Sequence, residues 1–159
     1  MSKTAILPAD VKQECIWIVR GYKRRVDAYL AARRDIIDGT SCRYEIVKDK
    51  RTGKYIRVYP PSGHAASRSS EEKTMQLAAI EEWPETKRMR AVEQAKLQVG
   101  TDVVNSESRM KLLDAILLNC AGGRKYPFRV LNITEFSERD FYRRRDTFLA
   151  DIAKYLGLI

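Results

Sequence analysis

Histidine and cysteine are scarce in this chain, and their scarcity excludes several kinds of site. The 159 residues include one histidine, His64, and three cysteines, Cys15, Cys42 and Cys120. Because the cysteines are widely separated and odd in number, we expect neither a disulfide framework nor a CxxC site. A zinc site needs about four well-spaced ligands, and a solvated loop residue is the simplest interpretation of His64. We therefore expect no metal site, and a reducing compartment fits the cysteine content.

Long apolar runs and catalytic motifs are also missing. No stretch reaches the roughly 18 apolar residues that cross a membrane, and the N-terminal sequence MSKTAILPAD has no signal-peptide core. The sequence holds no GxxxxGK[ST], GxGxxG or nucleophile-elbow motif. Most carboxylates alternate with Lys or Arg at helical spacing, which is typical of surface ion pairs. We therefore expect a cytoplasmic protein that has no membrane partner, is not an enzyme and binds no cofactor.

The chain has a clear excess of basic residues. Thirty Lys and Arg stand against 21 Asp and Glu, which gives a formal net charge of +9 and a pI of about 9.6. Such an excess favours a polyanionic partner, because neutralising phosphates releases condensed counterions. Charge alone does not name that partner, since membranes and acidic proteins also bind basic surfaces. The 44% of hydrophobic residues is enough for the core of one domain of usual size.

Apolar residues recur at intervals of three and four along most of the chain, which predicts a mainly α protein. A long helix begins near Pro8, with a weak point at Gly21. A small β-hairpin follows, with strands at Arg43–Val47 and Tyr55–Tyr59 around a turn at 49–53. The predicted domains are the long helix with the hairpin over 1–62, a linker over 63–70, and a helical region over 71–159 that ends in a helix-turn-helix-like module.

Local signals divide the region 71–159 into four helices. The first runs from about 71 to 82, and Pro84 begins the second. Asn105 or Ser106 caps the third, and Ser137 caps the last. The predicted buried stripe of the third helix is Met110, Leu113, Ile116, Leu117 and Cys120. That of the last helix is Phe141, Arg145, Phe148, Leu149, Ile152, Tyr155 and Leu156.

The last helix opens with FSERDFYRRRD, residues 136–146, and carries the strongest functional signal. Arg139, Tyr142 and Arg143 lie opposite the apolar stripe, as the groove-facing residues of a recognition helix do. Because Arg139 and Arg143 are one turn apart, both are candidates for reading base edges, with Tyr142 beside them. The predicted phosphate contacts are Arg124, Lys125, Arg129, Ser137 and Arg144. A solvated face of an ordinary amphipathic helix is the alternative, and the local surplus of basic residues favours the DNA interpretation.

Two segments give the chain a family resemblance. The tail SERDFYRRRDTFLADIAKYLGL and the N-terminal VKQECIWIVRGYKRR resemble phage-encoded transcriptional regulators of the RinA/ArpU type. These have a helix-turn-helix similar to region 4 of sigma-70 factors, with a clear helix before the turn, where this chain has GGRKYPFRVLNITEF. The resemblance implies a sequence-specific double-stranded DNA-binding protein. It would be a phage or prophage transcriptional regulator in the cytoplasm of a bacterial host, a monomer or homodimer, with RNA polymerase as a further partner.

Two other functions are compatible with a small, basic, helical chain. A phage DNA-packaging recognition subunit, like a small terminase, would form a ring of many subunits. A protein-interaction adaptor would bind RNA polymerase or a host protein through the long first helix. The adaptor would show no salt-dependent binding to DNA, whereas a DNA-binding protein loses affinity steeply as salt rises.

Overall fold

The computed structural model of the chain describes residues 6–38, 45–58 and 70–159. These residues form six α-helices: α1 (Ala9–Arg20), α2 (Tyr22–Ile37), α3 (Ser70–Glu81), α4 (Pro84–Gln98), α5 (Ser106–Gly122) and α6 (Glu138–Tyr155). Strands β1 (Glu45–Lys48) and β2 (Tyr55–Val58) pair as one antiparallel hairpin. The predicted mainly α fold with a small hairpin is confirmed. None of the described helices is both long and apolar enough to cross a membrane.

The chain divides into two compact units. The larger unit contains Met1–Val26 and Pro84–Ile159, and the smaller unit is Asp27–Trp83. Of the predicted linker over 63–70, residues 63–69 lie outside the described residues, and Ser70 is the first residue of α3. His64 and Cys42 also lie outside the described residues.

The core of the larger unit is built by α1, α4, α5 and α6. Three alanines, Ala91, Ala95 and Ala153, lie on the buried faces of α4 and α6, and small side chains allow two helices to pack closely. Fully buried Phe141, Phe148 and other large apolar side chains fill the centre. Cys15 and Cys120 belong to this core as free, buried thiols.

Local sequence signals place the helix ends largely as predicted. Gly21 separates α1 from α2, so the predicted weak point is confirmed. Pro84 is the first residue of α4, where its missing N–H costs no hydrogen bond. Asn105 caps α5, because its side-chain oxygen accepts the N–H groups of Glu107 and Ser108. Each of these signals acts over only a few residues.

The predicted buried stripes are correct only in part. Ile116 and Cys120 are buried as predicted, but Met110 is 57% exposed and Leu112 is buried in its place. The apolar surface of α5 is wider than one stripe, and its packing against α1 decides which part is covered. In α6 the apolar stripe is confirmed at four buried positions, Phe141, Phe148, Leu149 and Ile152. Tyr155, the last residue of α6, is 54% exposed, so its predicted burial is wrong.

The smaller unit contains most of α2, the hairpin and α3. The strands pair with Val47 opposite Ile56 and Lys48 opposite Tyr55. Asp49 holds the turn, since its carboxylate accepts the N–H of Arg51 and the hydroxyl of Thr52, each at 2.9 Å. Gly53 has φ +69°, a left-handed conformation that favours glycine. The predicted hairpin turn over 49–53 is therefore confirmed.

The connection between α5 and α6 runs from Gly123 to Ser137. It contains two short 3-10 turns, Gly123–Lys125 and Phe128–Val130. The turn of a compact helix-turn-helix has about three or four residues. The connection between α5 and α6 is much longer than that turn, and the predicted helix-turn-helix-like module stays a prediction.

Candidate nucleic-acid interface

The N-terminal end of α6 is capped by Ser137, as predicted. The Ser137 backbone is extended, with φ −72° and ψ 155°, and its Oγ accepts the N–H of Asp140 at 3.2 Å. A hydroxyl that accepts one bond still has a hydrogen to donate, so Ser137 can also donate to a phosphate oxygen. The first turn of α6 also contains the acidic residues Glu138 and Asp140, which repel phosphate.

The connection that leads to α6 is held against the helical core. The Phe128 ring centroid lies 5.5 Å from that of Phe141, and the Phe128 N–H donates to the Tyr142 hydroxyl at 3.4 Å. The side-chain amide of Asn119 donates to the backbone carbonyl of Tyr126 at 2.8 Å. A β-carbon added at Gly122 would come within 2.1 Å of the Tyr126 ring, so this close approach needs glycine. Side chains carried on such a fixed segment lose less entropy on binding.

Four predicted contact residues are exposed cations on this connection and on the first turn of α6. Arg124 and Lys125 lie in the first 3-10 turn, Arg129 lies in the second, and Arg139 lies in α6. All four side chains are exposed. Within the described residues none of the four has a carboxylate partner. Their charges are therefore available to a polyanion, and we name Arg124, Lys125, Arg129 and Arg139 the basic quartet.

The arginine run at 143–145, by contrast, is matched by carboxylates. Arg143 pairs with Asp140 and remains 60% exposed. Arg145 is only 19% exposed and donates to Asp146 at 3.0 Å and to the Asn119 side chain at 3.0 Å. The predicted position of Arg145 on the packed side of α6 is thus confirmed.

Arg144 is the most enclosed arginine of the run. Its guanidinium donates two bonds to Asp102, at 2.8 and 2.7 Å, and one to Asp140 at 2.8 Å. The side chain is 17% exposed and also lies over the Phe136 ring. The hydrogen bond from Arg144 lowers the pKa of Asp102 to about 2. Arg144 therefore links α6 to the loop that follows α4.

Tyr142 occupies a position between the packed and exposed sides of α6. Its hydroxyl is bonded to the connection through Phe128, and the Arg145 guanidinium lies 4.9 Å from its ring centroid. Of the three predicted base-reading side chains, only Arg139 and Arg143 are exposed. The sequence pattern does not indicate the partners of Arg144 and Arg145, because Asp102 and Asn119 lie far away along the chain.

Comparisons of the chain with protein-family models, with curated proteins and with solved structures find no match. The resemblance to regulators of the RinA/ArpU type stays a prediction. The basic quartet and the fixed connection that carries three of its members are the features on which a function can be argued.

Proposed function

We propose that this chain is a sequence-specific double-stranded DNA-binding protein, acting as a phage or prophage transcriptional regulator in the bacterial cytoplasm. The observation that carries the DNA-binding part is the basic quartet, whose four exposed cations have no carboxylate partner within the described residues. The regulatory part is supported by the resemblance of the first and last helices to regulators of the RinA/ArpU type.

The geometry favours phosphate contacts for some of the candidate residues and base contacts for others. Arg124, Lys125 and Arg129 contact phosphates, because they project from a connection that is fixed on the core. Arg139 and Arg143 address base edges from the first turns of α6, and the Ser137 hydroxyl donates to a phosphate. Arg144 and Tyr142 support the interface without contacting DNA, because their polar atoms already bind Asp102, Asp140 and the backbone of Phe128.

The first test measures how affinity depends on salt. DNA fragments selected from a random double-stranded library are labelled, and their binding is followed by fluorescence anisotropy. Each phosphate contact contributes about 0.9 to the slope of log K against log salt. We expect Arg124→Gln combined with Lys125→Gln and Arg129→Gln to reduce that slope by about 2.7, the effect of three phosphate contacts. A slope equal to that of the unmodified chain would contradict the proposal.

A second arm of the same test addresses specificity. Arg139→Gln should cost about 1–3 kcal/mol on the selected site and much less on random DNA. Lys154→Gln removes one exposed cation from the far end of α6 and is the matched control, with an expected change near zero. Equal losses of affinity for selected and random DNA would indicate that Arg139 contacts a phosphate and not a base. If no DNA fragment is selected from the library, the adaptor function is favoured.

A further inference from the structure

The exposed face of α1 presents a tryptophan beside a groove. Trp17 is 62% exposed, although its neighbours Ile18 and Val19 are buried in the core. The groove has a volume of about 500 Å³, and its walls include Trp17 and Ile18 from α1, Arg25 from the start of α2 and Arg88 from α4. An exposed tryptophan beside a concavity is typical of an interaction hot spot.

Two carboxylates lie on the same face of α1 and also line the groove. Asp10, Glu14 and Trp17 are spaced at i, i+4 and i+7, which places them one above the other on a helix. Neither Asp10 nor Glu14 has an ion-pair partner in the part of the chain that the structure describes. The α1 side of the groove is therefore anionic, although the chain as a whole carries a net charge of +9.

The two arginines that line the groove are already engaged. Arg25 and Arg88 bind the two carboxylate oxygens of Glu85, at 2.5 and 2.6 Å. Arg25 also donates to the backbone carbonyl of Ile18 at 2.7 Å. Glu85 thus fixes the two guanidinium groups beside the groove. Within the described part of the chain, the carboxylates of Asp10 and Glu14 remain free to pair with a partner.

We propose that this groove is a docking surface for a basic amphipathic segment of another protein. An apolar side chain of that segment packs against Trp17, and a Lys or Arg one turn away pairs with Glu14 or Asp10. Glu14 lies about one turn from Trp17 on α1, so a cation there is close enough for attraction by the indole quadrupole. Charge complementarity identifies the partner class, since the two carboxylates repel DNA phosphates.

A second copy of this chain fits the groove less well than a separate protein. Two chains that each carry a net charge of +9 repel each other over their whole surfaces. The proposal is also independent of the proposed DNA binding, because it uses none of the residues of the basic quartet. Loss of one activity would leave the other intact.

The experiment uses a synthetic amphipathic helical peptide of alternating Leu and Lys blocks, labelled with fluorescein, and the full chain. Binding is measured by fluorescence anisotropy, and a peptide with Glu at every Lys position is the charge control. We expect the Lys peptide to bind in a way that depends on Trp17, and any binding of the Glu peptide, which can reach the basic quartet, to be independent of Trp17. In a Trp83→Phe background Trp17 is the sole tryptophan, and its emission should shift to shorter wavelength when the Lys peptide covers it.

Variants of the chain locate the binding to the groove. Trp17→Ala should weaken binding of the Lys peptide at least tenfold. Asp10→Asn combined with Glu14→Gln should weaken it at least fivefold and reduce its dependence on salt. The matched controls are Tyr155→Ala, another exposed aromatic residue, and Asp114→Asn with Glu135→Gln, another pair of exposed carboxylates. The controls should bind the peptide like the unmodified chain.

Three results would overturn the proposal. The first is unchanged affinity in both groove variants, with circular dichroism showing that they are folded. The second is an equal loss of Lys-peptide and Glu-peptide binding in Trp17→Ala. The third is a dimer in sedimentation that Trp17→Ala dissociates, because a second copy of the chain would then cover this face.

Discussion

Arg144 is enclosed by two carboxylates from different parts of the chain. It joins Asp140 of its own helix to Asp102 in the loop after α4, while burying most of its side chain. Neighbouring Arg143 has one carboxylate partner and stays 60% exposed. Two arginines adjacent in sequence therefore have different surroundings: Arg144 is enclosed by two carboxylates, and Arg143 is largely exposed.

We predict that Arg144→Gln lowers the free energy of unfolding by about 1–2 kcal/mol, because it removes charge-assisted hydrogen bonds from a mostly buried side chain. Arg143→Gln is the matched control, and as an exposed pair it should change that free energy by less than about 1 kcal/mol. Urea denaturation at neutral pH measures both values. Equal losses in the two variants would show that Arg144 is no more structural than its neighbour.

The same substitution should change how stability depends on pH. The hydrogen bond from Arg144 holds the pKa of Asp102 at about 2, below its value of about 3.9 in an unfolded chain. This contribution is therefore fully present above about pH 5 and is lost as the pH falls towards 2. We expect the unfolding free energy of Arg144→Gln to fall less between pH 5 and pH 3 than that of the unmodified chain. An equal fall in unfolding free energy for the variant and the unmodified chain would contradict this linkage.

At the scale of the elements, α5 and α6 each begin at a side-chain cap. Asn105 accepts two backbone N–H groups at the start of α5, and Ser137 accepts one at the start of α6. We predict that Asn105→Ala and Ser137→Ala each cost about 1 kcal/mol of unfolding free energy. Ser106→Ala, one residue after the first cap, should change it by less than about 0.5 kcal/mol. Thermal unfolding followed by circular dichroism measures all three.

The caps also show which parts of the fold a sequence can predict. Asn105, Ser137, Pro84 and the Asp49 turn act on backbone groups a few residues away, so their effects can be read locally. The buried face of α5 could not be read in this way, because apolar residues occur on more than one of its faces. Its packing partner selects Leu112 and leaves Met110 exposed.

The candidate interface, like the fold, could be predicted from the sequence only in part. The exposed cations before α6 were identified from composition and order alone. Which arginines are neutralised depends on tertiary contacts, such as that between Arg144 and Asp102, 42 residues apart. Helical spacing places Trp17 with Asp10 and Glu14, away from the apolar stripe of α1, but the groove beside it also depends on Arg25 and Arg88 from two other helices.

At the scale of the whole molecule, the proposed regulator and the DNA-packaging alternative differ in size. The chain has a mass of 18.3 kDa, and we predict a monomer or a homodimer in solution. Mutual repulsion of chains with a net charge of +9 disfavours larger assemblies at low salt. Light scattering coupled to size-exclusion chromatography measures the mass directly. A ring of many subunits would instead support the packaging function.

The two buried cysteines of the core are poorly placed to react with oxidants. Burial raises the pKa of Cys15 and of Cys120 to about 11. Only the thiolate reacts readily with peroxides, disulfides or alkylating agents, so at neutral pH both sulfurs behave as small apolar groups. Oxidants can therefore reach them only when the helices separate. Redox control of this unit through Cys15 or Cys120 would require the core to open first.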